Sequence, residues 1–182
     1  MEVLAREWKK EDIPWWYNER AWIGVLAGAS WKAGGRAFEE FSDTKIIHRK
    51  KRKPQKKPGR VDLWLGVGTR EYLIEAKHVA VNAGGNKGLT RIKDSLRAAR
   101  WDLSRLRAYS GQKRLSMVCI TPYIVAKKRG QINTLLSKLL NQASSIETAT
   151  IAWVFPKNIR TYEWEDGYIY PGGIIVLKQL RS

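Results

Sequence analysis

Two apolar runs, Val61-Asp62-Leu63-Trp64-Leu65-Gly66-Val67 and Arg70-Glu71-Tyr72-Leu73-Ile74-Glu75-Ala76-Lys77, are separated by Gly68-Thr69 alone. Segments this rich in branched and aromatic residues, joined by a Gly-led pair, specify an antiparallel hairpin with a two-residue turn. The turn sets the register, with Val67 opposite Arg70, Leu65 opposite Tyr72 and Asp62 opposite Glu75. Side chains alternate along a strand. Asp62, Trp64, Leu73, Glu75 and Lys77 are therefore expected on one face, and Val61, Leu63, Leu65, Tyr72, Ile74 and Ala76 on the other. The second set is a core face. The first carries three charges, and opposed residues stand about 4.5–5.5 Å apart at Cβ, so its two carboxylates repel unless a cation lies between them.

An Asp on one strand and an (Asp/Glu)-x-Lys on the next is the motif of the PD-(D/E)xK nucleases, the restriction-endonuclease-like superfamily. The chain resembles that family through Asp62 and Glu75-Ala76-Lys77, over about residues 14–125. The position before the Asp, often Pro in the family, is Val61 here. The resemblance implies an α/β fold with a restriction-endonuclease-like core, a central mixed β-sheet flanked by helices. It also implies metal-dependent hydrolysis of phosphodiester bonds in DNA, with an endonuclease favoured. Asp62 and Glu75, with the Ala76 carbonyl, are then the expected ligands of Mg²⁺ or Mn²⁺, ions that suit hard oxygen donors. Lys77 is expected to position or help deprotonate the attacking water and to stabilise charge on the phosphate. A plainer alternative is a solvated edge hairpin in which Glu75 and Lys77 form a surface pair worth under about 1 kcal/mol. Leu73, Ile74 and Ala76 make that strand too apolar for an exposed edge.

The family also commonly carries an acid on the helix before the first strand. Glu19, among Trp15, Trp22, Ile23 and Leu26 in a helix whose first turn Pro14 suits, is the favoured fourth member of the catalytic and metal-binding set. Glu40, in the strand-like segment Arg36 to Phe41, is the alternative. Trp8, Trp15, Trp16, Trp22 and Trp31 crowd the same third of the chain and are expected to serve burial first.

The formal charge of +17 is concentrated. Arg49, Lys50, Lys51, Arg52, Lys53, Lys56, Lys57 and Arg60, together with Lys45, fall in about residues 43–60, where Pro54, Pro58 and Gly59 break any helix. This is expected to be a basic loop that grips phosphate backbone beside Asp62. A helix over Leu89 to Tyr109 follows from the apolar spacing of Ile92, Leu96, Ala99, Leu103 and Leu106, with Arg91, Arg97, Arg100, Arg105 and Arg107 around it. Arg91 or Lys93, early in that helix, is the candidate for the polar residue such a helix often brings near the metal. Lys87, in the glycine-rich stretch 82–88, is placed near the substrate. That stretch lacks phosphate-loop spacing.

The remaining pattern predicts a strand from Leu115 to Val125, a helix from Gln131 to Ala143, a strand from Thr150 to Phe155, a turn at Glu165-Asp166-Gly167 and a last strand from Gly173 to Leu177. At 182 residues the chain suits one domain. One cysteine, Cys119, and two histidines, His48 and His78, are too few for a disulfide scaffold or a zinc site. Cys119 is expected to be buried and inert, and His78 structural. No apolar run reaches transmembrane length and no signal peptide is visible, so a soluble cytoplasmic protein is expected. It should act on DNA without membrane or small-molecule cofactor. Cutting both strands from one site would require a homodimer or two successive events. The alternatives are an RNA-directed nuclease and a non-catalytic nucleic-acid-binding or assembly module.

Overall fold

The computed structural model describes residues 2–7, 12–47, 53–107 and 109–180. Among them are helices α1 (Glu2–Glu7), α2 (Glu19–Lys32), α3 (Gly88–Ser104) and α4 (Ile132–Ser144). The strands are β1 (Arg36–Ile47), β2 (Gln55–Val67), β3 (Arg70–Asn82), β4 (Gln112–Val125), β5 (Ala149–Val154), β6 (Tyr168–Ile169) and β7 (Gly173–Gln179), with a 3₁₀ helix over Ala126–Gln131. The seven strands form one mixed sheet in the order β1-β2-β3-β4-β7-β5, with β6 paired to the end of β4. The expected α/β architecture with a mixed sheet flanked by helices is what forms.

The hairpin at Gly68-Thr69 has the register its turn demands, with Val67 paired to Arg70 and Leu65 to Tyr72. Gly68 takes φ +58° while Thr69 stays out of the left-handed region, as a turn with Gly at its first central position requires. The β2–β3 ladder ends at Leu63–Ile74, however, one pair short of the expected Asp62–Glu75. Beyond that point β2 stays with β1 and β3 stays with β4, to which it is joined in parallel through the α3 crossover.

α2 covers one face of the sheet. Ile13, Trp15, Trp22, Ile23 and Ala27 pack there on Leu63, Ile74, Ala76, Met117 and Cys119. Gly173 lets the Trp22 ring approach the sheet, since a Cβ at that position would lie 2.2 Å from it. α3 and α4 cover the other face, where Ile92, Leu96, Leu136 and Leu139 meet Val79, Val81, Val118, Ile120 and Val176. A smaller cluster of Val61, Leu73, Leu103 and Leu106 continues that face toward β1. Val61 thus lies opposite to Leu63, not beside it as strict alternation predicts. The alternation breaks at Asp62, where the facing residue Glu40 has φ 49° and β1–β2 pairing lapses for one position.

Three other expectations change. The segment 43–60 is mostly strand and not a loop: Ser42 through Ile47 pair with Arg60 through Gln55 in a two-stranded arm. Pro58 fits there because β2 has lost its β3 partner on one side, so one edge of the strand has no ladder to serve. Helix α2 starts at Glu19, capped by the Asn18 side chain on the amides of Arg20 and Ala21, while Pro14 and Trp15 lie in the preceding turn. Helix α3 stops at Ser104, and Leu106 instead bridges Lys45 of the arm. Trp8, His48, Arg49, Lys50, Lys51 and Arg52 lie outside the described residues.

Candidate active site

Strands that are hydrogen-bonded on both sides leave no room for water between them. A split between two strands does, and charged side chains can gather in it at lower cost. The split where β2 leaves β3 is where Asp62, Glu75 and Lys77 come together.

Asp62, the first residue of β2 beyond the ladder, turns its carboxylate toward β3 and accepts the backbone N–H of Ala76 at 2.7 Å. This side-chain bond stands in for the ladder bond the diverging backbones no longer make. It also pins the Asp62 carboxylate to the middle residue of Glu75-Ala76-Lys77. Among the described residues Glu75 is the one buried acid, with only 2% of its surface exposed. Burial first, and the nearby Asp62 charge second, push its pKa up to about 7 against the opposing pull of Lys45. Lys45 Nζ, from the arm, lies 3.0 Å from Glu75 Oε1. The pair has ion-pair distance without hydrogen-bond alignment, since Oε1 lacks a hydrogen-bond partner.

Lys77 points to the same side and forms a 3.0 Å ion pair with Asp102 in the last turn of α3. Burial works to lower its pKa. The Asp102 hydrogen bond and the charges of Glu19, Asp102 and Asp62 outweigh burial, so the net shift is upward and Lys77 is held as a cation. Glu19, in the first turn of α2, has a carboxyl raised by burial and by the Asp62 and Asp102 charges, while Lys77 and the His78 backbone amide pull it down. Glu19 therefore does reach the edge of this group. Glu40 does not join it: Arg20 and Arg60 hold its carboxylate at 3.1 and 2.8 Å.

His78 faces α2. The Thr121 hydroxyl donates to the Trp15 carbonyl and stands 2.9 Å from His78 Nε2, so the ring acts there as the donor. Burial lowers the pKa of this histidine, which suits a neutral structural role. Cys119 is fully buried and its thiol is pushed up by burial.

Asp102 and Lys45 are the members that sequence reasoning missed. Asp102 is one of only two acids on an otherwise basic α3, and an acid in a last turn faces the negative end of the helix dipole. That is a weak but usable signal of a cationic partner. Arg91 and Lys93 do not contribute to the site. They precede Asp102 by nine to eleven residues on α3, about 14–16 Å along its axis, and both are exposed. Lys93 instead borders a cleft with Arg97, Arg100 and Lys178. Lys87 is exposed just before α3, at the same distant end. Of the basic segment, Lys53, Lys56, Lys57 and Arg60 are exposed along the arm, with Arg60 engaged to Glu40.

The donors are of the kind a hard divalent cation takes: Asp62 and Glu75 are carboxylates placed to repel each other, and Glu75 Oε1 faces the Lys45 ammonium at 3.0 Å. Among the described residues, however, no three His, Cys, Asp or Glu side chains form a group able to hold a metal. Lys45 and Lys77 balance the acids in this arrangement. Comparison with protein-family models, curated proteins and solved structures returned no match to the chain. No helix among the described residues is long and apolar enough to cross a membrane.

Proposed function

We propose that the chain is a metal-dependent nuclease with a restriction-endonuclease-like core that hydrolyses phosphodiester bonds of DNA. The observation that carries this reading is the Asp62–Ala76 bond. It ties an aspartate of one strand to the middle of a Glu-x-Lys on the next, at a split in the sheet, with Lys77 on the same side. The order α2, three antiparallel strands, α3 and a parallel fourth strand supports the fold assignment. Asp62, Glu75, the Ala76 carbonyl and Glu19 would hold Mg²⁺ or Mn²⁺, which when bound supplies charge neutralisation at the phosphate and a more acidic water.

The chain's own residues divide the remaining work. Lys77, held as a cation by Asp102, is suited to stabilising charge on the phosphate and orienting the attacking water more than to taking its proton. Lys53, Lys56 and Lys57 line an arm that can follow the phosphate backbone. Supercoiled DNA should be cut with Mg²⁺ and left intact with a chelator. Lys77→Ala should lower the rate about 10²- to 10³-fold, as loss of one transition-state donor does, while gel-shift affinity stays within a few-fold. Intact DNA and intact RNA across Mg²⁺ and Mn²⁺ would overturn the enzymatic reading; cutting of RNA alone would reassign the substrate.

One observation favours a second reading, a nucleic-acid-binding module without catalysis. Lys45 forms an ion pair with Glu75, and among the described residues no three acids converge. DNA binding with no cleavage in the same assay would select it.

A further inference from the structure

On the α3 side of the sheet, next to the split, α3 stops short of the edge and leaves an open cleft of about 350 Å³, within the range of small-ligand pockets. Its walls are aromatic: Phe38, Phe41, Trp64 and Tyr109. Phe38 is 60% exposed, and its ring centroid is 5.5 Å from that of Trp64. Cations rim these rings, with the Arg36 guanidinium 5.9 Å from the Trp64 centroid and that of Arg107 5.3 Å from Tyr109.

Polar groups in the cleft are arranged rather than scattered. Glu71 accepts from Gln112 Nε2 at 2.7 Å and from Trp64 Nε1 at 3.4 Å. The amide nitrogen of Gln112 is thereby committed, and a flipped amide would set two acceptors against each other. Its Oε1 is left closed off from solvent with no hydrogen-bond partner. Asp43, on the opposite wall, presents a second acceptor beside the Tyr109 hydroxyl.

The cleft and the candidate active site share two strands. Leu73 lines the cleft and Glu75 follows two residues later on β3; Asp43 lines it and Lys45 follows two residues later on β1. Two residues of strand cover about 7 Å, a gap that one nucleotide can span from base to phosphate.

We propose that the cleft between Phe38, Trp64 and Tyr109 holds one unpaired nucleobase of the strand whose phosphate lies at Glu75 and Lys77. The proposal rests on the nuclease reading and narrows its substrate to nucleic acid with at least one unpaired or extrudable base. An aromatic cleft rimmed by arginines matches a flat, hydrogen-bonding ring on a polyanion. Asp43 supplies an acceptor for the N–H groups of its edge.

The test measures binding by anisotropy with a labelled single strand, the matching duplex, and a strand of the same length made of abasic residues, all in chelator so that no cutting intervenes. Phe38→Ala should weaken single-strand binding about tenfold, or ~1.4 kcal/mol, within what loss of one stacked base produces. It should leave duplex and abasic-strand binding unchanged, and Phe38→Trp should restore affinity. An equal loss on the abasic strand, no loss on any strand, or a change of oligomeric state in sedimentation would each overturn the base pocket. If the unaltered protein binds none of the three, the nuclease reading falls as well. Binding to all three that Phe38→Ala leaves untouched removes the pocket alone.

Discussion

The two halves of the sheet treat the same problem in opposite ways. From β4 through β7 to β5 every ladder is closed, and the α3 and α4 side is filled by Val118, Ile120, Val176, Leu136 and Leu139, all buried. From β1 through β2 to β3 the ladder opens at Asp62, and the neighbouring positions hold Asp62, Glu75, Lys77 and Lys45 instead of apolar side chains. The difference is one of strand pairing and not of composition, for β3, joined to β2 on one side and to β4 on the other, carries Val79 and Val81 as well as Glu75. A strand can present charges where its neighbour departs, and must present apolar groups where a helix seals it.

The largest expected effect sets a sealed position against one at the opening. Ile120→Ala, in the closed half, should cost about 3–5 kcal/mol by denaturant unfolding, because a hole there cannot collapse. Leu73→Ala should fall nearer 2 kcal/mol, since Leu73 also borders the open cleft and its loss can be relieved by rearrangement or water. Equal costs would show that the two halves are equally closed and would break the contrast.

How much of this was legible beforehand follows the same line. The hairpin register was readable because it depends on a Gly-led turn and on alternation, both local. The end of the ladder was not, because it depends on Glu40, an acid in the left-handed region on a third strand. Pro14 points to too early a start for α2, whereas Asn18, a good N-cap, stands just before Glu19. The prolines of the basic segment point to a loop because they break ordinary ladders; one side of the arm has no partner strand, so they break nothing there. Asp102 and Lys45 reach the site through a helix end and a strand arm. Their approach is set by tertiary packing, so spacing within the sequence could only hint at it.

A mid-sized effect concerns pH. The folded pKa of Glu75 stands near 7, above the ordinary 4.5, so between those values the folded chain holds a proton that the unfolded chain has released. Its contribution to stability is complete below about pH 4.5 and is lost as pH rises through 7. At 1.36 kcal/mol per unit, the decline from this shift amounts to about 3 kcal/mol, and Glu19, raised in the same direction, adds to it. Glu75→Gln should flatten most of that slope in unfolding titrations run with chelator, and should leave the protein more stable than the parent above pH 7. No such change in slope would mean that Lys45 already offsets the cost of burying Glu75. The open half would then be as balanced electrostatically as the closed half is apolar.

The smallest effect lies furthest from the opening, on the arm. Lys56 and Lys57 are exposed, so removing either should leave folding stability within about 0.5 kcal/mol. If the arm tracks a DNA backbone, each substitution removes about one phosphate contact. The slope of log affinity against log salt should then fall by about 0.9 per contact, with little change in preference among sequences. Lys138, exposed on α4 over the closed half, should leave the slope unchanged. A slope equally sensitive to Lys138 would mean that the +17 charge acts as a diffuse cloud. A slope sensitive only to the arm would mean that the same departure of β2 from β3 which opens the charged site also carries the strand that delivers the nucleic acid to it.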